Sequence, residues 1–212
     1  MPADLSLLLP RPQHVDADAG ALCLAFLNTR PRTGGTPSDD DLQPGYANVL
    51  SWARGAGVVS DADTRRLLAV ARRNAREAST VRRRIIELRE TLRRVVGSMI
   101  GDDPAQPADL SRLEREIRDS YSEARLDFDD ETGVLTWKWP EEPRLEQLLW
   151  PIVRSIEDLL FSDRIDRIRH CAGDDCTYIF LDTSRNRSRR YCSTSACGNR
   201  DRVRRFREAG SD

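Results

Sequence analysis

Two pairs of cysteines crowd the C-terminal end of this chain: Cys171 and Cys176, then, after fifteen residues, Cys192 and Cys197, with four residues inside each pair. Thiol pairs joined by a short loop can surround one tetrahedral ion, and zinc takes four thiolates at about 2.3 Å with paired ligands a few residues apart. A site closed by four thiolates keeps no coordination position for water, so it builds structure and does not catalyse. The expectation is one structural Zn2+ held by Cys171, Cys176, Cys192 and Cys197, in a binding module and not an enzyme. Four thiols without metal, or a disulfide-forming redox switch, are the competing readings. His170 beside Cys171 is read as a surface or packing residue, and the lone Cys23, in an apolar segment, as a small core residue.

With 212 residues, 39% of them hydrophobic, 33% charged and a mean hydropathy of −0.59, the chain has the composition of a soluble protein with an adequate core. No run approaches the roughly 18 apolar residues of a membrane helix, and the N-terminus lacks the basic start of a signal peptide. The expected location is therefore the cytoplasm, with no membrane partner, where paired thiols favour metal over disulfides. Lys138 is the single lysine among 34 basic residues, a bias that points to a GC-rich bacterial genome. The net charge of −1 hides lopsided blocks: +8 over residues 65–94, −10 over 101–166 and +7 over 181–207.

The apolar periodicity predicts a mainly α protein with a small β-hairpin, an α+β chain carrying a C-terminal zinc-finger module built on four cysteines. Ala19 to Thr29 is apolar and reads as helix or strand. Tyr46 to Ala56 reads as a short helix. Ser60, followed by Asp61 and Asp63, caps another through about Arg73. Val81, Ile85, Leu88, Leu92, Val95, Val96 and Met99 share one face of a helix over about 80–99, with Arg89 and its neighbours mostly outside that stripe. A helix over about 107–124 turns Leu110, Leu113 and Ile117 inward. Alternation on both sides of Asp129 to Gly133 predicts a hairpin, and a last long helix covers about 144–161. Residues 1–18 and 30–45 read as loosely held and loop. Domain organisation follows: a helical domain over 1–165 and a metal module over 166–212. Within the module, a short hairpin is expected to join the cysteine pairs through Tyr178 to Phe180 and the stretch before Cys192.

The strings CAGDDC (171–176), DTSRNRSRRYC (182–192) and CGNR (197–200) resemble the CGNR zinc-finger family of bacteria, which is named for that tetrapeptide. LCLAFLNT (22–29), Leu50-Ser-Trp52-Ala and Leu148-Leu-Trp150-Pro are similar to the ABATE domain that accompanies this finger. Two departures stand out: Tyr191 where the family often has Trp, and Ala25 where it often has an acid. The family is described as stress-induced transcription regulators, so the resemblance implies DNA as partner and a role in stress response.

Arginine supplies nine of the 27 residues from 181 to 207. Arg185, Arg187, Arg189 and Arg190 lie between the pairs among small hydroxyl and amide side chains, a mixture suited to phosphate oxygens. On a helix over 198–207, Arg200, Arg204 and Arg207 form one stripe, while Val203 and Phe206 dock on the module and Asn199 bonds to the knuckle. A shift of helical register is expected near residue 198. These seven arginines are the nucleic-acid candidates; the plainer reading is a solvated loop, or ion pairs to the acidic block. The leading function is a DNA-binding regulator whose N-terminal domain dimerises or senses a small-molecule effector, with Asn28, Trp52 and Trp150 as pocket candidates. The alternative is a zinc-stabilised adaptor for protein or RNA. Two His residues and no phosphate-loop, dinucleotide-loop or HExxH pattern leave nothing on which to build an enzyme.

Overall fold

A computed structural model describes residues 19–29, 42, 45–101, 103–131 and 133–209. The stretch 1–18 and most of the predicted loop 30–45 lie outside the described residues. The helices are α1 (Leu22–Leu27), α2 (Tyr46–Gly55), α3 (Asp61–Arg73), α4 (Ala75–Ile100), α5 (Pro107–Ser122), α6 (Leu149–Leu160) and α7 (Asn199–Ala209). Two antiparallel ribbons complete the fold: β1 (Arg125–Asp129) with β2 (Val134–Lys138), and β3 (Ile168–His170) with β4 (Ile179–Leu181). The mainly helical α+β class predicted from the sequence is the observed one.

The ambiguous apolar segment is a helix, and its burial explains the ambiguity. Cys23 to Leu27 are all buried in α1, and a helix apolar on every side belongs at the centre of a core. Its ends still need hydrogen-bond partners. The Cys23 N–H donates to Ser155 Oγ at 3.0 Å, and two arginines of α4 serve the other end. Arg93 donates to the Leu27 carbonyl at 2.6 Å and Arg89 to the Thr29 carbonyl at 2.7 Å. Arg89, expected outside the apolar stripe of α4, is only 1% exposed: carbonyls in need of partners at and just after the end of α1 outweigh the charge pattern of α4.

Ser60 caps α3 as predicted, accepting from the Asp63 N–H at 3.1 Å. Helix α4 starts six residues earlier than its apolar stripe, because Asn74 caps it and accepts from the Glu77 N–H. The stripe itself is buried from Val81 to Val96. In α5 the inward face is Asp109, Leu113, Glu116 and Ser120, not the Leu110 side, which is 48% exposed. That half-polar seam receives α4 through ion pairs: Arg94 to Asp109 at 2.6 Å and Arg84 to Glu116 at 2.8 Å. The basic and acidic blocks thus partly neutralise each other, as expected. A 3-10 turn over Leu145–Leu148 leads into α6, where Pro151 has no N–H to offer the Gln147 carbonyl.

The hairpin β1–β2 pairs Leu126 with Trp137 and Phe128 with Leu135. The Trp139 indole that follows donates to the Ser120 carbonyl at 3.0 Å and stacks on Trp150 with centroids 6.0 Å apart. The second ribbon differs from expectation. Its strand β4 pairs with β3, upstream of Cys171, and not with the stretch before Cys192. Ile168, Ile179, Phe180 and Leu181 are buried there, and they join the helical core. Gly20, at φ +78°, lies so close that a Cβ would stand 3.0 Å from Leu181 Cβ.

Candidate metal centre and its arginine surround

The β3–β4 ribbon carries the first cysteine pair at its open end. The Cys171 N–H donates to the Tyr178 carbonyl at 2.9 Å, which extends the ribbon by one step before the chain turns. Cys176 closes that turn, its N–H donating to the Gly173 carbonyl at 3.1 Å, with Asp175 at φ 57°. The second pair sits on a wider turn. A π-helical turn over Thr194–Gly198 precedes α7, and Ser193 accepts from the Ala196 N–H through its Oγ and from the Gly198 N–H through its carbonyl. The register shift expected near residue 198 is this π turn.

These two turns bring the four sulfurs within 4.8 Å of one another. Cys176 Sγ lies 3.9 Å from Cys192 Sγ, which lies 3.6 Å from Cys197 Sγ. A tetrahedron of thiolates at zinc bond length has edges of about 3.8 Å. Donor chemistry and spacing therefore both fit zinc, and the described residues hold no other group of three or more such ligands. His170 is exposed and stands outside the cluster.

Donors converge on the sulfurs from outside. Cys171 Sγ accepts from the Gly173 N–H at 3.4 Å and the Cys192 N–H at 3.3 Å. Cys197 Sγ accepts from Arg200 Nη2 at 3.0 Å. Burial opposes the Cys197 thiolate, but the Arg200 guanidinium and the neighbouring thiols prevail and bring its pKa down. Burial pushes the Cys176 thiol up to about 11 and raises the Cys192 thiol as well, helped there by the neighbouring thiols. A divalent ion would reverse that balance and hold all four as thiolates.

The seven candidate arginines have divided roles. Arg189 lies over the Phe180 ring at 4.4 Å and donates to the Tyr191 carbonyl at 3.0 Å and to the Cys192 carbonyl. Arg200 is bonded to a cysteine, and Arg204 pairs with Asp174 at 2.8 Å and Asp201 at 2.6 Å. Arg187 pairs with Asp166. Arg185, Arg190 and Arg207 are exposed, with Arg190 leaning over Tyr191. Buried Asp182 organises the loop between the pairs, accepting from the Ser184 N–H at 2.8 Å and the Arg189 N–H at 3.0 Å.

Three predictions about α7 and the pocket need correction. Val203 and Phe206 do not dock on the module; they are 40% and 80% exposed, because α7 is held at its first turn and projects from there. Asn199 is exposed and makes no hydrogen bond to the knuckle among the described residues; Tyr191 takes that role, its hydroxyl donating to Asp201 at 2.6 Å. The phenol at 191 thus gains a bond for its hydroxyl.

Nor do Asn28, Trp52 and Trp150 share a pocket. The Asn28 amide spans Ile179, donating to its carbonyl at 2.7 Å and accepting from its N–H at 3.0 Å. Trp52 is buried beside Phe26, at 5.6 Å between centroids, and Trp150 packs on Trp139. Asn28 therefore joins the helical part to the metal module, and nothing in the apolar periodicity announced it.

A family model described as "Putative stress-induced transcription regulator", the ABATE domain, matches residues 20–163. The chain belongs to the ABATE family. A second model, the CGNR zinc finger, matches residues 167–209 of this ABATE protein and takes in all four clustered cysteines. No curated protein matches the chain. Zinc finger and regulator domain agree with the sulfur geometry in describing a zinc-binding regulator. No helix among the described residues is long and apolar enough to cross a membrane.

Proposed function

We propose that this ABATE protein is a DNA-binding bacterial transcription regulator of the cytoplasm, with one structural Zn2+ per chain and no catalytic step. Its N-terminal helical domain senses a signal of stress or dimerises. The observation that carries the reading is α7. Every residue from Arg202 to Glu208 is exposed, four of those seven are arginines, and the helix is tied at its root to the thiolate cluster through Arg200 and Cys197. Exposed Arg185 and Arg190 extend the basic surface into the loop between the cysteine pairs. Such guanidiniums suit phosphate oxygens, whose counterions are released on binding.

The test is fluorescence anisotropy of labelled genomic DNA fragments across a salt series, with RNA as competitor. Affinity should fall steeply with salt. An Arg185→Ala/Arg190→Ala/Arg207→Ala variant should keep its zinc and lose about 0.9 in log–log slope for each phosphate contact removed. An affinity indifferent to salt and to this variant contradicts the proposal. Exposed Phe206 favours a second reading, a zinc-stabilised adaptor for protein or RNA, which predicts that RNA displaces the DNA.

A further inference from the structure

A polar cleft of about 500 Å³ opens between α4, α5 and the start of α6, away from the cysteines. Its volume is in the range of small-molecule sites. Five carboxylates line it against two guanidiniums. Three of the five are already compensated: Arg84 holds Glu116 at 2.8 Å and Asp119 at 2.7 Å, and Arg144 holds Glu123 at 2.6 Å. Glu77 and Glu146 form no ion pair among the described residues, although the Asn74 amide donates to Glu77 Oε2 and Glu146 lies within the field of Arg84. Both act on the same spot, because burial first, and then Glu146 and Glu77, raise the pKa of the Tyr46 hydroxyl.

A second, independent feature lies in the wall. Ser120 is 3% exposed and its Oγ has no hydrogen-bond partner. A buried hydroxyl left unpaired costs about 1–3 kcal/mol, and this one belongs to a residue of the cleft wall. Trp150, 6% exposed, supplies an aromatic side to the same wall.

We propose that this cleft binds a small organic cation, an amine or guanidinium compound held by Glu77 and Glu146, with Ser120 Oγ as its hydrogen-bond partner and the Trp150 indole as its apolar wall. The excess of carboxylate excludes an anion. A hard divalent ion wants six or more oxygens, whereas only two carboxylates here lack an ion pair and part of the wall is indole, which attracts organic cations through its π face. The inference deepens the sensing role given to the helical domain and rests on that reading for its consequence. It is tested without DNA, so its failure leaves DNA binding as a separate result.

The experiment is isothermal titration calorimetry of the full chain with putrescine, agmatine and spermidine, beside 1,4-butanediol and Mg2+, with tryptophan fluorescence in parallel. At least one amine should bind saturably at one site with a Kd below about 1 mM, and butanediol and Mg2+ should not. Glu146→Gln should weaken that amine about tenfold, and Ser120→Ala severalfold. Neither variant removes a hydrogen bond or ion pair the fold uses, and unchanged thermal melting checks this. Saturable heat from none of the three amines overturns the proposal, as does an amine affinity unchanged in both variants, or Mg2+ binding with the same dependence on Glu146.

Discussion

Around the sulfurs, single atoms decide what each residue can be. Gly173 has no side chain because a Cβ there would stand 3.2 Å from both Cβ and Sγ of Cys197. Gly173→Ala should therefore push the two knuckles apart and weaken zinc binding about 10–100-fold, read by competition with a chromogenic chelator. Arg200→Ala removes the donor to Cys197 Sγ and should weaken zinc binding by a similar factor, whereas Arg202→Ala, an exposed neighbour with no bond to a sulfur, should leave it unchanged. Equal zinc affinities in the two arginine variants would contradict the role given to Arg200. The four ligands were legible in the sequence because their spacing alone carries the chemistry. The arginines were not, because charge and period do not tell which guanidinium finds a carboxylate or carbonyl inside its own module. Arg189 and Arg204 found them, whereas Arg185 stayed exposed.

Among the elements, those with a long apolar period or a cap were legible: α3 from Ser60, α4 from its stripe, and the β1–β2 hairpin from alternation around a Gly-ending turn. Strand β4 was legible at Tyr178 to Phe180, but its partner β3 was not, because a strand that short has no period and its partner is fixed by packing. What fixes it is visible in Asn28, whose amide both donates to and accepts from Ile179. Asn28→Asp keeps the shape but cannot donate to the Ile179 carbonyl and sets a charge against it. We expect a loss of about 1–3 kcal/mol, with amide hydrogen exchange rising first over 168–181. Exchange rising uniformly across the chain would show that Asn28 does not act at this joint.

Taken as a whole, the molecule has an apolar core and one seam, between α4 and α5, joined by ion pairs, and that seam makes acid a weakness. Asp109 lies below the ordinary carboxylate range, chiefly through its hydrogen bonds to Arg94. A depressed carboxyl stabilises the fold above its unfolded pKa of about 4 and loses that contribution as the pH falls through its lower folded value. Wild type should thus melt above Asp109→Asn at neutral pH, with the gap closing below about pH 4; a gap constant down to acid would contradict the pairing. The polar seam also shapes the cleft beside Ser120, so the features that make the helical half acid-sensitive give it a place for a cation. At the other end, the thiolate cluster fixes where α7 starts and hence where its arginines stand. The zinc content of the full chain, purified without chelator, tests this most directly. The account predicts one zinc per chain, lost in Cys192→Ser together with the order of α7; a metal-free protein with α7 intact would contradict it.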